Sequence, residues 1–157
     1  MHEVINVAKS RMFHFPGFSL VKGNIKVDVS LNRFEKQFQD AQFYLDSQVM
    51  TDMVPYMPHR DNMLISNTRR ESASLAGTGK VYAAFRPYGR FLYMGKVMID
   101  PDTGSPWSKP EAKKIVTDRP LTYSNPKATP HWFDTAKDAH GKAWVKGVKR
   151  IAGGGKK

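Results

Sequence analysis

Between Asn24 and Leu31 apolar and polar residues alternate, with Ile25, Val27, Val29 and Leu31 set against Lys26, Asp28 and Ser30. A period of two puts the four apolar side chains on one face of an extended chain, so the pattern predicts a half-buried strand. The period then changes. Phe34, Phe38, Ala41, Leu45, Val49 and Met53 recur every three or four residues, which lines them along one side of a long helix. Asn32 followed by Glu35 has the form of a capping box, in which each side chain satisfies a backbone N–H left unpaired at a helix start. Pro55 lacks the N–H that a helix interior uses, so the helix is expected to end near Val54.

Upstream, Val4, Ile5, Val7, Phe13, Phe15 and Phe18 are interrupted by Pro16 and Gly17, too apolar for a solvated tail and too broken for a helix. Residues 1–23 therefore read as an arm or short strands. Downstream, Pro55 and Pro58 bracket a stiff loop through Arg60, Asp61 and Asn62, and residues 63–76 suit either a short helix or a strand. Gly77 and Gly79 mark a turn before Val81, Ala83 and Phe85, an alternating stretch that predicts a strand stopped by Pro87. Tyr88 to Met94 reads as a short helix closed by Gly95. Two β-rich stretches, Val97–Ile99 and Ile115–Thr117, flank a region holding Pro101, Gly104, Pro106 and Pro110, which predicts an extended hairpin over residues 96–124. Thr129 as cap and Pro130 in the first turn open a last helix, in which Trp132, Ala136, His140, Trp144 and Val148 stack at four-residue intervals. Gly153, Gly154 and Gly155 stop it.

Together these elements predict an α+β fold: a long amphipathic helix and a C-terminal helix packed on a small antiparallel sheet. The N-terminal arm (1–23) precedes a single domain (24–152), the hairpin (96–124) is inserted in it, and a short basic tail (153–157) follows. A chain of 157 residues suits one core. A hydrophobic fraction of 40%, with aromatic residues through most of the length, argues for a folded chain rather than a disordered one.

Charge adds a partner to this picture. With 25 Lys+Arg against 14 Asp+Glu the formal charge is +11, which calls for negative surface nearby: nucleic acid, a membrane or an acidic protein. The excess gathers at the C-terminus, where Lys137, Lys142, Lys146, Lys149, Arg150, Lys156 and Lys157 face only Asp134 and Asp138. Such a terminus either contacts DNA phosphates in a salt-sensitive manner or is an ordinary solvated helix face. No apolar run approaches the roughly 18 residues of a spanning helix. Glu3 and Asn6 interrupt the region where a signal peptide needs an unbroken apolar stretch, so synthesis and assembly are expected in a cytoplasm.

Candidate chemistry fails on spacing or context. The absence of cysteine removes disulfides, thiolate zinc sites and cysteine nucleophiles. Asp102-Thr103-Gly104-Ser105 matches the core of an aspartic-protease loop, but Asp100-Pro101 stand where an apolar strand should lead in, and Asp-Thr-Gly is also common turn chemistry. Asp100, Asp102 and Gly104 lack the later ligands of a calcium loop. His2, His14, His59, His131 and His140 have no metal-ligand spacing. Gly77-Thr78-Gly79-Lys80 lacks the first glycine of a phosphate loop, and Val81 replaces its Ser/Thr. No catalytic, metal-binding or cofactor-binding residue emerges, and an enzyme is the least supported class.

One ordered series of motifs remains. Val54-Pro55-Tyr56-Met57-Pro58 follows a long amphipathic helix; Met63-Leu64-Ile65-Ser66 comes next, and then Phe85-Arg86-Pro87-Tyr88-Gly89-Arg90-Phe91-Leu92-Tyr93-Met94-Gly95. The stretches Lys96–Ser105 and Lys114–Ser124 and the pair Trp132-Phe133 complete it. The series resembles the minor capsid proteins of long-tailed bacteriophages and is similar to head–tail connector and tail-completion proteins, with Gly89 where that family usually has alanine. It spans roughly Leu45 to Lys149.

The resemblance implies a non-enzymatic virion protein at the head–tail interface, forming a homo-oligomeric ring around the DNA channel without cofactor or membrane. Its partners would be a portal or connector ring on the head side and a tube or terminator on the tail side, with non-specific contact to packaged DNA. Pro55, Pro58, Pro87, Tyr88, Gly95 and Trp132 would then be architecture. Phe13, Phe15, Phe18 and Trp107 become candidates for subunit contacts, and Lys142, Lys146, Lys149, Arg150, Lys156 and Lys157 for DNA-channel or neighbour contacts. The alternative reading is a free nucleic-acid-binding module, whose aromatic residues on β-rich stretches would stack on bases.

Overall fold

The computed structural model describes residues 16–60, 62–84, 88–109 and 111–153. The two long apolar stripes find each other: helix α1 (Asn32–Met53) and helix α4 (Trp132–Ala152) pack side by side. Between them and the short helix α2 (Met63–Leu75) lies the core, built from Val49, Met50, Met53, Met57, Leu64, Ile65, Trp132, Ala136 and Trp144. Only the C-terminal half of the α1 stripe is in it. Ala41, Val49 and Met53 are buried, whereas Phe34 and Phe38 are 49% and 37% exposed. The helix passes into a 3-10 turn (Val54–Tyr56) at Pro55, as the missing N–H requires.

Two expected caps are not made. Leu31, not Asn32, occupies the cap position of α1, with no side-chain hydrogen bond, and Asn32 is already the first residue of the helix. At α4 the cap is His131, with a positive φ of 49°, instead of Thr129. Thr129 and His131 are held as connecting chain because their N–H groups donate to Tyr56 O (3.1 Å) and Tyr93 O (2.8 Å).

The class is α+β, and the strands pair off in two separate two-stranded antiparallel sheets. In the first, β1 (Phe18–Lys22) pairs with β2 (Ile25–Val29), with Phe18 opposite Val29 and Lys22 opposite Ile25. The boundary drawn at residue 24 therefore falls in the turn of one hairpin. Its strands are almost wholly exposed, so the strand expected to be half-buried has no covering layer among the described residues.

Short helix α3 (Gly89–Met94) ends at Gly95, whose φ of 68° lets its N–H close on Phe91 O and Leu92 O. The second sheet follows, β3 (Lys96–Ile99) against β4 (Ile115–Pro120), and is the expected extended hairpin. The strand predicted over residues 81–85 is not formed by the described residues 81–84. Their backbone is engaged by side chains instead. Tyr82 N–H donates to Ser72 Oγ (3.1 Å), Ser72 Oγ donates to Tyr82 O (3.4 Å), and Ala83 O accepts the indole N–H of Trp132.

Candidate functional site

The motif residues of the centre converge on one structural knot. Trp132 is fully buried, donates from Nε1 to Ala83 O at 2.7 Å and meets the Tyr93 ring edge-on at 4.8 Å. Tyr93 also contacts His131 edge-on. Pro58 is buried, and the Pro55 carbonyl accepts from Asn125 Nδ2, which also reaches Met57 O. At Gly95 an added Cβ would lie 2.5 Å from Pro130 Cβ, so the close approach and the positive φ both require glycine there. Tyr123 Oη donates to Leu92 O at 2.6 Å. Burial raises the pKa of Tyr123, and burial followed by the nearby Asp134 charge raises that of Tyr93. Tyr88 is 41% exposed beside a shallow cleft of about 270 Å³ that it shares with Pro58, His59, Leu64, Leu92 and Tyr123. Pro87 lies outside the described residues.

Three residues that sequence patterns did not single out hold this scaffold together. Asp46, buried on α1, accepts the N–H groups of Gly77 (2.8 Å) and Gly79 (3.0 Å) and the Gln42 amide, fixing the turn after α2. Asp52 accepts the Trp144 indole, and Gly147 admits the Tyr44 ring against α4. A carboxylate embedded among apolar helix positions was the available signal for both aspartates.

The Asp-Thr-Gly turn of the β3–β4 hairpin is closed upon itself. The buried Asp100 carboxylate accepts Asp102 N–H (2.9 Å), Asp100 O accepts Gly104 N–H and Asp100 N–H donates to Ser105 O. These are the bonds of an ordinary Asx-type turn. Beyond it Trp107 is 82% exposed, and Lys114 Nζ donates to Pro106 O across the loop. No cluster of three metal-ligating side chains occurs among the described residues.

In the β1–β2 hairpin the register sets Phe18 opposite Val29, Leu20 opposite Val27 and Lys22 opposite Ile25. Cross-strand partners share a face, so Phe18, Leu20, Ile25, Val27 and Val29 form one apolar surface, while Ser19, Lys26 and Asp28 lie on the other with Val21. Phe18, Leu20 and Ile25 are each about 60% exposed or more, and Val27 45%. A two-stranded hairpin is marginal in water on its own, and among the described residues nothing covers either face of this one. Of the predicted subunit contacts, Phe18 is on this face, Trp107 is on the other hairpin, and Phe13 and Phe15 lie outside the described residues.

On α4 Lys142 and Lys149 lie opposite the residues buried in the core, with Lys146 beside them, whereas Arg150 returns to the side of Trp132 near the helix end. Trp132, Ala136, Trp144 and Gly147 face α1, and Lys142, Lys146, Lys149 and Arg150 are exposed. Lys156 and Lys157 lie outside the described residues.

No known protein family, characterised protein or solved structure matches this chain. Among the described residues no helix is long and apolar enough to cross a membrane.

Proposed function

We propose that the protein is a structural component of the phage neck, one subunit of an oligomeric ring that joins or completes the head–tail interface around the DNA channel. The observation that carries this reading is the uncovered apolar face of the β1–β2 hairpin, Phe18, Leu20, Ile25, Val27 and Val29. A face of that composition, left uncovered among the described residues beside a well-packed helical core, is suited to a neighbouring subunit or ring. The exposed Trp107 on a second hairpin adds an aromatic anchor of the kind that dominates assembly contacts. The resemblance in the order of motifs agrees with this, and those motifs act as packing elements around Trp132 and Gly95.

Its partners in this reading are further copies of itself, a portal or connector ring above and a tube or terminator below. The role is structural, not catalytic. The test is to purify intact particles, and separately the products of a deletion strain, and to examine both by mass spectrometry and electron microscopy. The chain is expected in particles at a few to a dozen copies, with unjoined heads and tails when it is deleted. Its absence from particles would overturn the reading and leave the free nucleic-acid-binding module, to which the exposed cations of α4 lend support.

A further inference from the structure

From Ala139 to the C-terminus the sequence has six Lys or Arg and no Asp or Glu. Three of the cations, Lys142, Lys146 and Lys149, follow one another at spacings of four and three, which lines them up along the solvent side of α4, with Arg150 set apart near the helix end. All four are exposed, and none joins the ion pairs formed among the described residues. The opposite side of the same helix is anchored by Trp132, Ala136 and Trp144, so the stripe is presented on a rigid support. Stabilisation of the helix end explains only part of it. Lys149 and Arg150 sit in the last turn, where cations complement the helix dipole, but Lys142 lies nearly three turns before Ala152, beyond the reach of that effect.

We infer that the Lys142–Lys146–Lys149 face is a docking surface for the phosphate backbone of duplex DNA, read without regard to sequence. The choice among anionic partners follows from what the face lacks. An anionic membrane is bound by a helix that inserts an apolar side, and the apolar side of α4 is consumed by the core. Single-stranded nucleic acid is held by aromatic stacking, and Trp132 and Trp144 are buried while Phe133 is half-buried and stacked on Trp144. Point charges on an evenly spaced stripe remain. From Lys142 to Lys149 the stripe runs about 10 Å along the helix axis, a length over which a duplex carries about six phosphate charges. That the duplex is the packaged genome rests on the neck reading; the binding itself does not.

The experiment uses the full-length chain and a fluorescently labelled 30-base-pair duplex of arbitrary sequence, with affinity measured by anisotropy between 50 and 200 mM salt. Each neutralised phosphate contributes about −0.9 to the slope of log affinity on log salt. The triple variant Lys142→Gln, Lys146→Gln, Lys149→Gln is expected to flatten the slope by about 2.7, so the wild type should lose about 40-fold more affinity over that range than the variant. A control with the same loss of charge on the β3–β4 hairpin, Lys109→Gln, Lys113→Gln, Arg119→Gln, should keep the wild-type slope. An equal loss in the control would assign binding to overall charge and overturn the inference. So would an unaltered slope in the stripe variant, or tighter binding to polyglutamate or to vesicles of phosphatidylglycerol and phosphatidylcholine than to the duplex. Stripe-dependent binding by a chain missing from particles would fail the neck reading alone; a chain present in particles without it would fail this inference alone.

Discussion

The indole N–H of Trp144 donates to Oδ2 of Asp52 across 2.6 Å, joining α4 to the C-terminal end of α1. Trp144 is only 6% exposed, so an unpaired indole N–H there has little water to turn to. Asp52→Ala should cost about 1–3 kcal/mol, the penalty for leaving a buried donor unsatisfied. Asp52→Asn keeps an acceptor oxygen and should cost less. Urea unfolding of the two variants measures both; equal losses would mean that the bond itself contributes little.

Gly147 of α4 lies directly against the Tyr44 ring of α1. A Cβ placed there would stand 2.4 Å from the Tyr44 ring, which would have to swing out of the interface. Replacing glycine by alanine inside a helix ordinarily stabilises it by about 0.5–1 kcal/mol, whereas overpacking a contact costs about 1–3 kcal/mol. The second effect should win, and Gly147→Ala should lower the unfolding midpoint. In the background of Tyr44→Ala the same substitution should become neutral or stabilising, a sign reversal that a double-mutant cycle detects.

Tyr93 and Tyr123 have pKa values raised from 10.0, chiefly by burial. The folded state therefore holds these protons more tightly than the unfolded chain does. Below pH 10 both states are protonated and the contribution to stability is complete. Above it the unfolded chain ionises first, and stability falls as pH climbs toward the folded-state values. Denaturation followed between pH 8 and 11 should show this decline, and Tyr123→Phe, which removes the donor to Leu92 O, should be less stable at neutral pH but decline less steeply.

The apolar face of the β1–β2 hairpin should matter to assembly and not to folding. Leu20→Glu with Val27→Lys changes two exposed cross-strand partners and sets opposite charges against each other, and stability shifts at such exposed positions usually stay within about 0.5 kcal/mol. In complementation of a deletion strain the double variant should leave heads and tails unjoined, while its purified form unfolds at nearly the wild-type denaturant concentration. Normal particles from the variant would remove this face from the assembly contacts.

Much of the fold was legible because it depends on local periodicity. The long helix, its end at Pro55, the helix at Gly89–Met94 closed by Gly95, the extended hairpin and the last helix all follow from spacing and from the backbone limits of proline and glycine. The strand expected at residues 81–85 was not, because alternation measures only where side chains point. At 82 and 83 the backbone partners are Ser72 Oγ and the Trp132 indole, one from the preceding helix and one from a residue nearly fifty positions away. The stripe of α1 similarly predicts which residues share a side, but not that its N-terminal part, with Phe34, runs beyond the core.

By itself the sequence determined the two long helices, the β3–β4 hairpin, the α+β class and the cationic character of the C-terminal helix, since these follow from residue order and local geometry. Only the tertiary structure decided that α1 and α4 bury their stripes in each other, and that Asp46 and Asp52 are used to hold the scaffold. It also decided that the amphipathic β1–β2 hairpin meets nothing among the described residues that covers its apolar face. The physical reason is that period and propensity act within a few residues, whereas burial depends on which distant surfaces come together. An apolar stripe has the same sequence signature whether its partner lies in the same chain or in another.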